Sequence, residues 1–175
     1  MVIKKKAIFF DRDGTLIKSN LSSDKKPIAI KNLSELKLFP SVKKILKKLN
    51  KEFLIFIITN QPDVYRGNNT KKNVIEINNY LKKNLPIKKI YTCFCSSKNC
   101  IFRKPNPGMM IDASKEYNID LKKSYVVGDR WKDIDAGHKV RCKTIFINKD
   151  YKEKLKEKPL YTIRYFSEIA RIFKC

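Results

Sequence analysis

Residues 7–17 read Ala7-Ile8-Phe9-Phe10-Asp11-Arg12-Asp13-Gly14-Thr15-Leu16-Ile17, and the rest of the chain is organised around this stretch. Ala7 to Phe10 form an apolar run with the length and aromatic content of a buried strand. The run stops at two carboxylates spaced two apart, on chain leaving the strand's carboxyl end, where open α/β sheets place their ligands. Gly14 lets the backbone turn back where a Cβ would hinder it. Such a pair can divide labour, one carboxylate attacking an electrophile while the other moves protons. Two like charges this close repel unless a cation lies between them, so the pair implies Mg²⁺, a hard ion bound through oxygen. An isolated Asp-x-Asp also describes a solvated acidic turn, and the downstream sequence decides between the two.

At 175 residues, the chain accommodates one domain, residues 1–175, with a sizeable core. An apolar content of 42% with 11% aromatics sets disorder aside. No apolar stretch is long enough to span a bilayer, and the four-residue run after the basic N-terminus falls short of a signal-peptide core. A cytoplasmic monomer without a membrane partner is expected. The net charge of +23 suggests anionic partners such as phosphorylated metabolites or nucleic acid. The lysines, however, are spread over 43–51, 71–72, 82–89 and the 150s, as on solvated helix faces. Few alternate with aromatics as a single-strand binder requires, so nucleic acid stays a disfavoured alternative. Five cysteines, at 93, 95, 100, 142 and 175, do not make a disulfide framework, although three of them crowd together at metal-like spacing.

Apolar positions 42, 45, 46 and 49 predict a helix over 41–51 with Ser41 as its N-cap. Residues 53–58 (FLIFII) form an unbroken run typical of a parallel strand buried on both faces, ending in Thr59-Asn60-Gln61-Pro62. Thr70 caps a second predicted helix reaching Asn84, and 90–94 is a third strand leading into the cysteine loop. A helix starting at Asn106 or Pro107 and running to Tyr117, a strand at 124–127, a helix at 131–140 and a strand at 144–147 follow. Residues 18–38 are polar and irregular, 150–158 a solvated charged segment, 161–165 a last strand and 167–173 a last helix. Strands alternating with helices point to a three-layer α/β fold around a parallel sheet.

Four of those strand ends carry Asp11 with Asp13, Thr59 with Asn60, Arg103 with Lys104, and Asp129 with Asp133. Phosphoryl transfer from a monoester needs this set: a nucleophile, donors for the equatorial oxygens, a fixed cation and acids that hold Mg²⁺. FFDRDGTLI (9–17), IITN (57–60), RKPNPGM (103–109) and VGDRWKDID (127–135) resemble, in order, the four motifs of the haloacid dehalogenase (HAD) superfamily of phosphatases. TNQPDVYRG (59–67), the cysteine loop running into RKPNPGM, and VGDRWKDIDAG resemble its heptose-bisphosphate and histidinol-phosphate phosphatase branch. The resemblance covers about residues 5–148 and leaves the last 25 or so without a motif.

The resemblance implies a HAD-type Rossmann-like fold and a role for each matched residue. Asp11 would be the nucleophile that forms an aspartyl-phosphate and a Mg²⁺ ligand, and Asp13 the general acid and base whose backbone carbonyl also ligates the ion. Thr59 and Asn60 would bind the phosphoryl oxygens, and Lys104 would neutralise nucleophile and phosphate. Asp129 would be the second metal carboxylate, with Asp133 ligating directly or through water. Arg66 and Arg103 would bind substrate, their planar forks suiting a second phosphate or sugar oxygens. The branch's cysteine loop binds a structural zinc as C-x-H…C-x-C. Here Cys93, Cys95 and Cys100 match three positions, and Phe102 stands at the fourth, where it cannot ligate. Structural zinc normally has four protein ligands, so either zinc is lost and the loop packs on Phe102, or water or another thiol completes the shell. Cys142 reads as a core residue, Cys175 as a free exposed thiol, and His138 as solvent-facing without a role. Trp131 could line the pocket mouth or the core.

The gaps 15–53 and 61–103 have no room for a cap domain, so the site should be open. The expected activity is Mg²⁺-dependent hydrolysis of a small phosphorylated sugar, a D,D-heptose 1,7-bisphosphate-like compound of lipopolysaccharide heptose biosynthesis. Histidinol phosphate is an alternative substrate, and a nucleic-acid 3′-phosphatase or basic nucleic-acid-binding protein an alternative of another class.

Overall fold

A computed structural model describes residues 3–22 and 26–175. The N-terminal two positions and residues 23–25 of the irregular stretch lie outside the described residues. The apolar run that opens the chain is strand β1, Ala7–Phe10, with every residue fully buried. A small antiparallel hairpin, β2 (Asn20–Leu21) with β3 (Pro27–Ile28), follows it. Helix α1 (Val42–Leu49) leads to β4 (Leu54–Asn60), and α2 (Lys71–Asn84) to β5 (Lys89–Cys93). Then come α3 (Gly108–Tyr117), β6 (Tyr125–Gly128), α4 (Trp131–Lys139), β7 (Lys143–Ile147), β8 (Tyr161–Ile163) and the short α5 (Ile169–Ile172).

Six strands make one sheet in the order β5-β4-β1-β6-β7-β8, every neighbouring pair parallel. Side chains alternate across a strand, so the two halves of β1 face opposite cores. Ile8 and Phe10 pack with Ile55, Ile57, Val127 and the apolar faces of α1, α2 and α5. Ala7 and Phe9 pack with Phe56, Ile58, Val126 and the faces of α3 and α4. A strand covered on both faces cannot afford polar residues, which is why β1 and β4 read as continuous apolar runs. The chain leaves β1 towards β4 and β5, then crosses back to place β6 on the other side of β1. This reversal opens a crevice at the carboxyl end of β1, the location where such sheets bind ligands. Between residues 18 and 38 the described chain adds only the hairpin and one 3-10 turn, and no cap domain covers the crevice.

Thr70 caps α2 as expected, its hydroxyl accepting the amide of Asn73 at 3.1 Å. Ser41 does not cap α1 with its side chain: its φ of 68° puts it in the left-handed region, and it makes no capping hydrogen bond. The predicted last helix is shorter, a 3-10 turn at Phe166–Glu168 followed by α5. Cys175 is not an exposed thiol but packs, partly buried, on the first core. No described helix is long and apolar enough to cross a membrane.

Phe56 stacks on Phe9 with ring centroids 5.3 Å apart and is fully buried. Phe56→Ala is expected to lower unfolding free energy by about 3–5 kcal/mol, the range for truncating a buried aromatic, as read from urea denaturation.

Candidate active site

The residues singled out at the strand ends meet at the crevice. β1 delivers Asp11, β4 delivers Thr59 and Asn60, the loop after β5 delivers Arg103 and Lys104, and β6 and the first turn of α4 deliver Asp129 and Asp133. At their centre is the Lys104 ammonium, 2.6 Å from Asp11 Oδ1, 2.6 Å from Asp133 Oδ1 and 2.7 Å from the Ile58 carbonyl. All three of its donors are used. Burial alone disfavours its charge, but Asp11 and Asp133 outweigh burial and push its pKa up. The lysine therefore stays cationic in a nearly sealed position.

The carboxylates are crowded. Asp11, Asp129 and Asp133 each offer an oxygen, all within 4.8 Å of one another. Burial raises the Asp11 pKa to about 6, Lys104 opposing it and Asp133 adding to it. Asp129 is raised well above the usual carboxylate range, first by burial and then by Asp11 and Asp133. Its Oδ1 accepts the Thr15 hydroxyl at 3.4 Å, while its Oδ2 is buried without a hydrogen-bond partner. An orphaned carboxylate oxygen beside two other acids is an oxygen-rich donor set with excess negative charge, which suits a hard divalent cation. Two glycines make the crowding possible. Gly14 has φ +87°, and a Cβ there would lie 1.9 Å from Asp129 Oδ2. A Cβ on Gly128 would lie 2.3 Å from Asp133 Cγ.

Asp13 is held by groups that the sequence did not single out. Its Oδ2 accepts from Arg12 Nε at 2.9 Å and Gln61 Nε2 at 2.8 Å, and its Oδ1 from the Ile30 amide at 3.3 Å. Arg12 is fully buried and also donates to Asn78 Oδ1 at 2.9 Å. Gln61 Nε2 also donates to Thr59 Oγ1 at 2.8 Å, tying the two together. The signal was local: Arg12 sits between the two motif aspartates, and Gln61 directly follows Thr59-Asn60.

Other residues depart from expectation. Asn60 was expected to hold phosphoryl oxygens, but its side chain accepts from the Lys104 amide at 3.1 Å and donates to the Lys104 carbonyl at 3.0 Å. One Nδ2–H of Asn60 stays uncommitted, and Asn60 lines the inner cavity beside the buried Thr59. Asp133 serves the first turn of α4 as well as the site, its Oδ2 accepting from the Arg130 amide at 3.1 Å. Arg103 lines the inner and outer parts of the crevice, anchored by Nη1 on the Cys95 carbonyl at 2.8 Å. Arg66 lines only the outer part and pairs with Asp63 at 3.3 Å. Residues 150–158 are exposed at most positions, as a solvated charged segment is, but several of them are tied to the fold. Glu153 takes two hydrogen bonds from Arg130, Tyr151 lines a cavity with Asp129 and Trp131, and Lys156 lies over the Trp131 ring at 4.3 Å. Trp131 thus faces this strap beside the crevice.

Cys93 and Cys100 lie 3.7 Å apart between sulfurs. Among the described residues the aspartate trio alone places three metal-ligating groups this close, so zinc finds no support. Phe102 is 38% exposed and belongs to neither core. Instead Cys95 and Cys100 rest on the second core, which contains Cys93 and Cys142, so apolar contact holds the loop. His138 is exposed, its Nε2 3.0 Å from the Lys158 carbonyl.

The inner cavity, about 100 Å³, has Asp11, Asp13, Thr59, Asn60, Lys104 and Asp133 among its lining, with Arg103, Arg130 and Lys132. It opens into an outer cavity of about 520 Å³ whose charged lining is Lys31, Asp63, Arg66, Arg103, Arg130 and Lys132.

Comparison with known proteins agrees with this geometry. The profile of the polynucleotide kinase 3 phosphatase family matches residues 6–157. The D-glycero-alpha-D-manno-heptose-1,7-bisphosphate 7-phosphatase of Campylobacter jejuni is 30% identical over 158 residues, covering 86% of this chain and 87% of that protein. The D-glycero-beta-D-manno-heptose-1,7-bisphosphate 7-phosphatase of Helicobacter pylori strain J99 is 33% identical over 152 residues, covering 82% and 83%. Among solved structures, D,D-heptose 1,7-bisphosphate phosphatase from B. bronchiseptica, complexed with magnesium and phosphate, superposes with a TM-score of 0.80 at 22% identity, covering 97% of this chain and 98% of that one.

Gly14→Ala is expected to displace Asp129 from the carboxylate trio and weaken Mg²⁺ binding by about 10–100-fold, the range for disturbing a ligand's support. Calorimetric titration with Mg²⁺, with far-ultraviolet circular dichroism as the control for folding, measures it.

Proposed function

The chain belongs to the polynucleotide kinase 3 phosphatase family, within the HAD phosphatases, and on that premise we propose that it removes one phosphate from a D,D-heptose 1,7-bisphosphate-like sugar, with Mg²⁺ and an aspartyl-phosphate intermediate. The observation that carries the reading is the junction of Asp11, Lys104 and Asp133 beside Asp129, supported by relatives that are named for heptose bisphosphate.

Lys104 occupies Asp11 Oδ1, which leaves Oδ2 to attack phosphorus as the bond to the leaving oxygen breaks. Asp13 gives that oxygen a proton. It then takes one from water as the water attacks phosphorus, which breaks the Asp11–phosphate bond and releases inorganic phosphate. Arg12 and Gln61 keep Asp13 turned to this task. Thr59 donates to a phosphoryl oxygen, while Lys104 offsets the charge of nucleophile and phosphate. Asp11, Asp129, Asp133 and the Asp13 backbone carbonyl would hold Mg²⁺, which when bound supplies a Lewis acid for the phosphoryl oxygens.

Histidinol phosphate suits the site poorly. Its cationic end would meet an outer cavity carrying five basic side chains and one carboxylate. The second reading is hydrolysis of a nucleic-acid 3′-phosphate, favoured by the family's own description and by the net charge of +23.

A screen of D,D-heptose 1,7-bisphosphate, histidinol phosphate and a 3′-phosphorylated oligonucleotide, with and without Mg²⁺, separates these readings. Turnover of the heptose bisphosphate should dominate and need Mg²⁺. Dominant release of phosphate from the oligonucleotide, falling steeply between low and moderate salt, would replace the sugar reading. Asp11→Asn should abolish turnover at unchanged fold, since the carboxamide is nearly isosteric but a poor nucleophile; turnover like the wild type would remove Asp11 from the chemistry. Gln61→Leu, which frees Asp13 Oδ2 of one donor, should lower kcat about 10–100-fold with a smaller change in KM, part of the contribution of a positioned acid–base group, as read by phosphate release.

A further inference from the structure

Three cations stand where the inner cavity opens into the outer one: Arg103, Arg130 and Lys132 line both. They are not equivalent. Arg130 has its guanidinium committed to Glu153 through Nε and Nη2. Farther out, Arg66 is committed to Asp63 and its side chain is 52% exposed. Arg103 and Lys132 form no ion pair with a carboxylate among the described residues. Arg103 is 9% exposed, with Nη1 alone engaged, on a carbonyl. Lys132 is half-buried at the start of α4, its ammonium 5.6 Å from the Trp131 ring centroid.

Charge without a counter-ion in a partly desolvated wall is unfavourable until an anion enters. The catalytic phosphate does not account for the pair, because Lys104 already supplies the cation beside Asp11 and the inner cavity is small. A second anion on the same ligand would meet Arg103 and Lys132 where the two cavities join.

We propose that Lys132 joins Arg103, which the family resemblance already gives to the substrate, in clamping the second, non-reacting phosphate of a bisphosphorylated sugar, and that Lys132 thereby sets the preference for bisphosphate over monophosphate. The inference rests on the sugar-bisphosphate reading above and adds a specificity-determining residue to it. Arg66, expected from sequence to bind substrate, then has an outer and lesser part, since Asp63 competes for it.

The test compares kcat/KM for D,D-heptose 1,7-bisphosphate and D,D-heptose 7-phosphate in wild type, Lys132→Ala and Lys132→Arg. In Lys132→Ala the ratio of bisphosphate to monophosphate should fall at least about tenfold, mostly through KM, the factor for losing one charge-assisted phosphate contact. Lys132→Arg should restore most of it. Equal losses on both substrates, or no loss on either, would overturn the clamp. Should the wild type hydrolyse neither heptose phosphate, the sugar reading fails on that result alone. The clamp is then tested by inhibition of p-nitrophenyl phosphate hydrolysis by fructose 1,6-bisphosphate and fructose 6-phosphate. A preference for the bisphosphate in wild type that Lys132→Ala loses supports the clamp, and equal inhibition constants in the wild type overturn it.

Discussion

The Lys104 ammonium donates to Asp11, to Asp133 and to the Ile58 carbonyl from a position 3% exposed, and three separate elements are fixed by that one group. Taking a lysine out of water costs several kcal/mol unless every donor is satisfied and opposite charge lies close. Both conditions hold here, so the ammonium has a single place to sit. Asp11 after the end of β1, Ile58 near the carboxyl end of β4 and Asp133 in the first turn of α4 are held around it. The loop between β5 and α3 exists, in this light, to deliver Lys104. Asn60 grips the lysine's backbone from β4 at both its amide and its carbonyl, and the cysteines rest the loop on the second core. Apolar packing and backbone hydrogen bonds position the loop with no need for a fourth metal ligand where Phe102 stands.

One lysine does not neutralise three carboxylates. The excess is visible in Asp11 and Asp129, both pushed up by burial, with neighbouring acids adding to it, and in the unpartnered Asp129 Oδ2. The fold enforces this crowding, because Gly14 and Gly128 remove the Cβ atoms that would otherwise keep Asp129 and Asp133 away. A divalent cation relieves the repulsion without altering the scaffold. Preorganisation of this kind is why so much catalytic potential resides in fixed charges rather than in motion.

What was legible in sequence was whatever a local pattern encodes. The apolar runs of β1 and β4 announced strands buried on both faces, and the residues just past strand ends announced the crevice, because a parallel sheet directs all its carboxyl ends to one side. Asp11, Thr59 and Asp129 followed from that rule, whereas Lys104, on the long loop after β5, and Asp133, inside α4, followed from motif order. Pairings between side chains distant in sequence were not legible. Nothing near Asn60 shows that its amide will hold the backbone of Lys104, 44 positions away. The charged stretch 150–158 has the composition of a solvated tail, yet Glu153 and Tyr151 are drawn over the site by Arg130 and by the cavity beside Asp129. Ser41 illustrates the same limit: a capping residue type does not cap when the backbone adopts a left-handed turn.

The charge of the chain divides in a way that bears on substrate size. Lys43, Lys44, Lys47 and Lys48 lie exposed on the outer face of α1, away from the crevice, and behave as the solvated helix surface their spacing suggests. Five of the 40 basic residues, Lys31, Arg66, Arg103, Arg130 and Lys132, surround the mouth. Asp63 and Glu153 already hold two of the five. At physiological salt the Debye length is about 8 Å, so exposed lysines on a remote helix contribute little to an anion at the mouth. What remains is a short reach of positive charge lining the crevice that also holds Asp11. That reach fits a compact dianionic ligand, whereas a polynucleotide would call for a basic track continuing across the surface, with aromatic platforms to stack its bases.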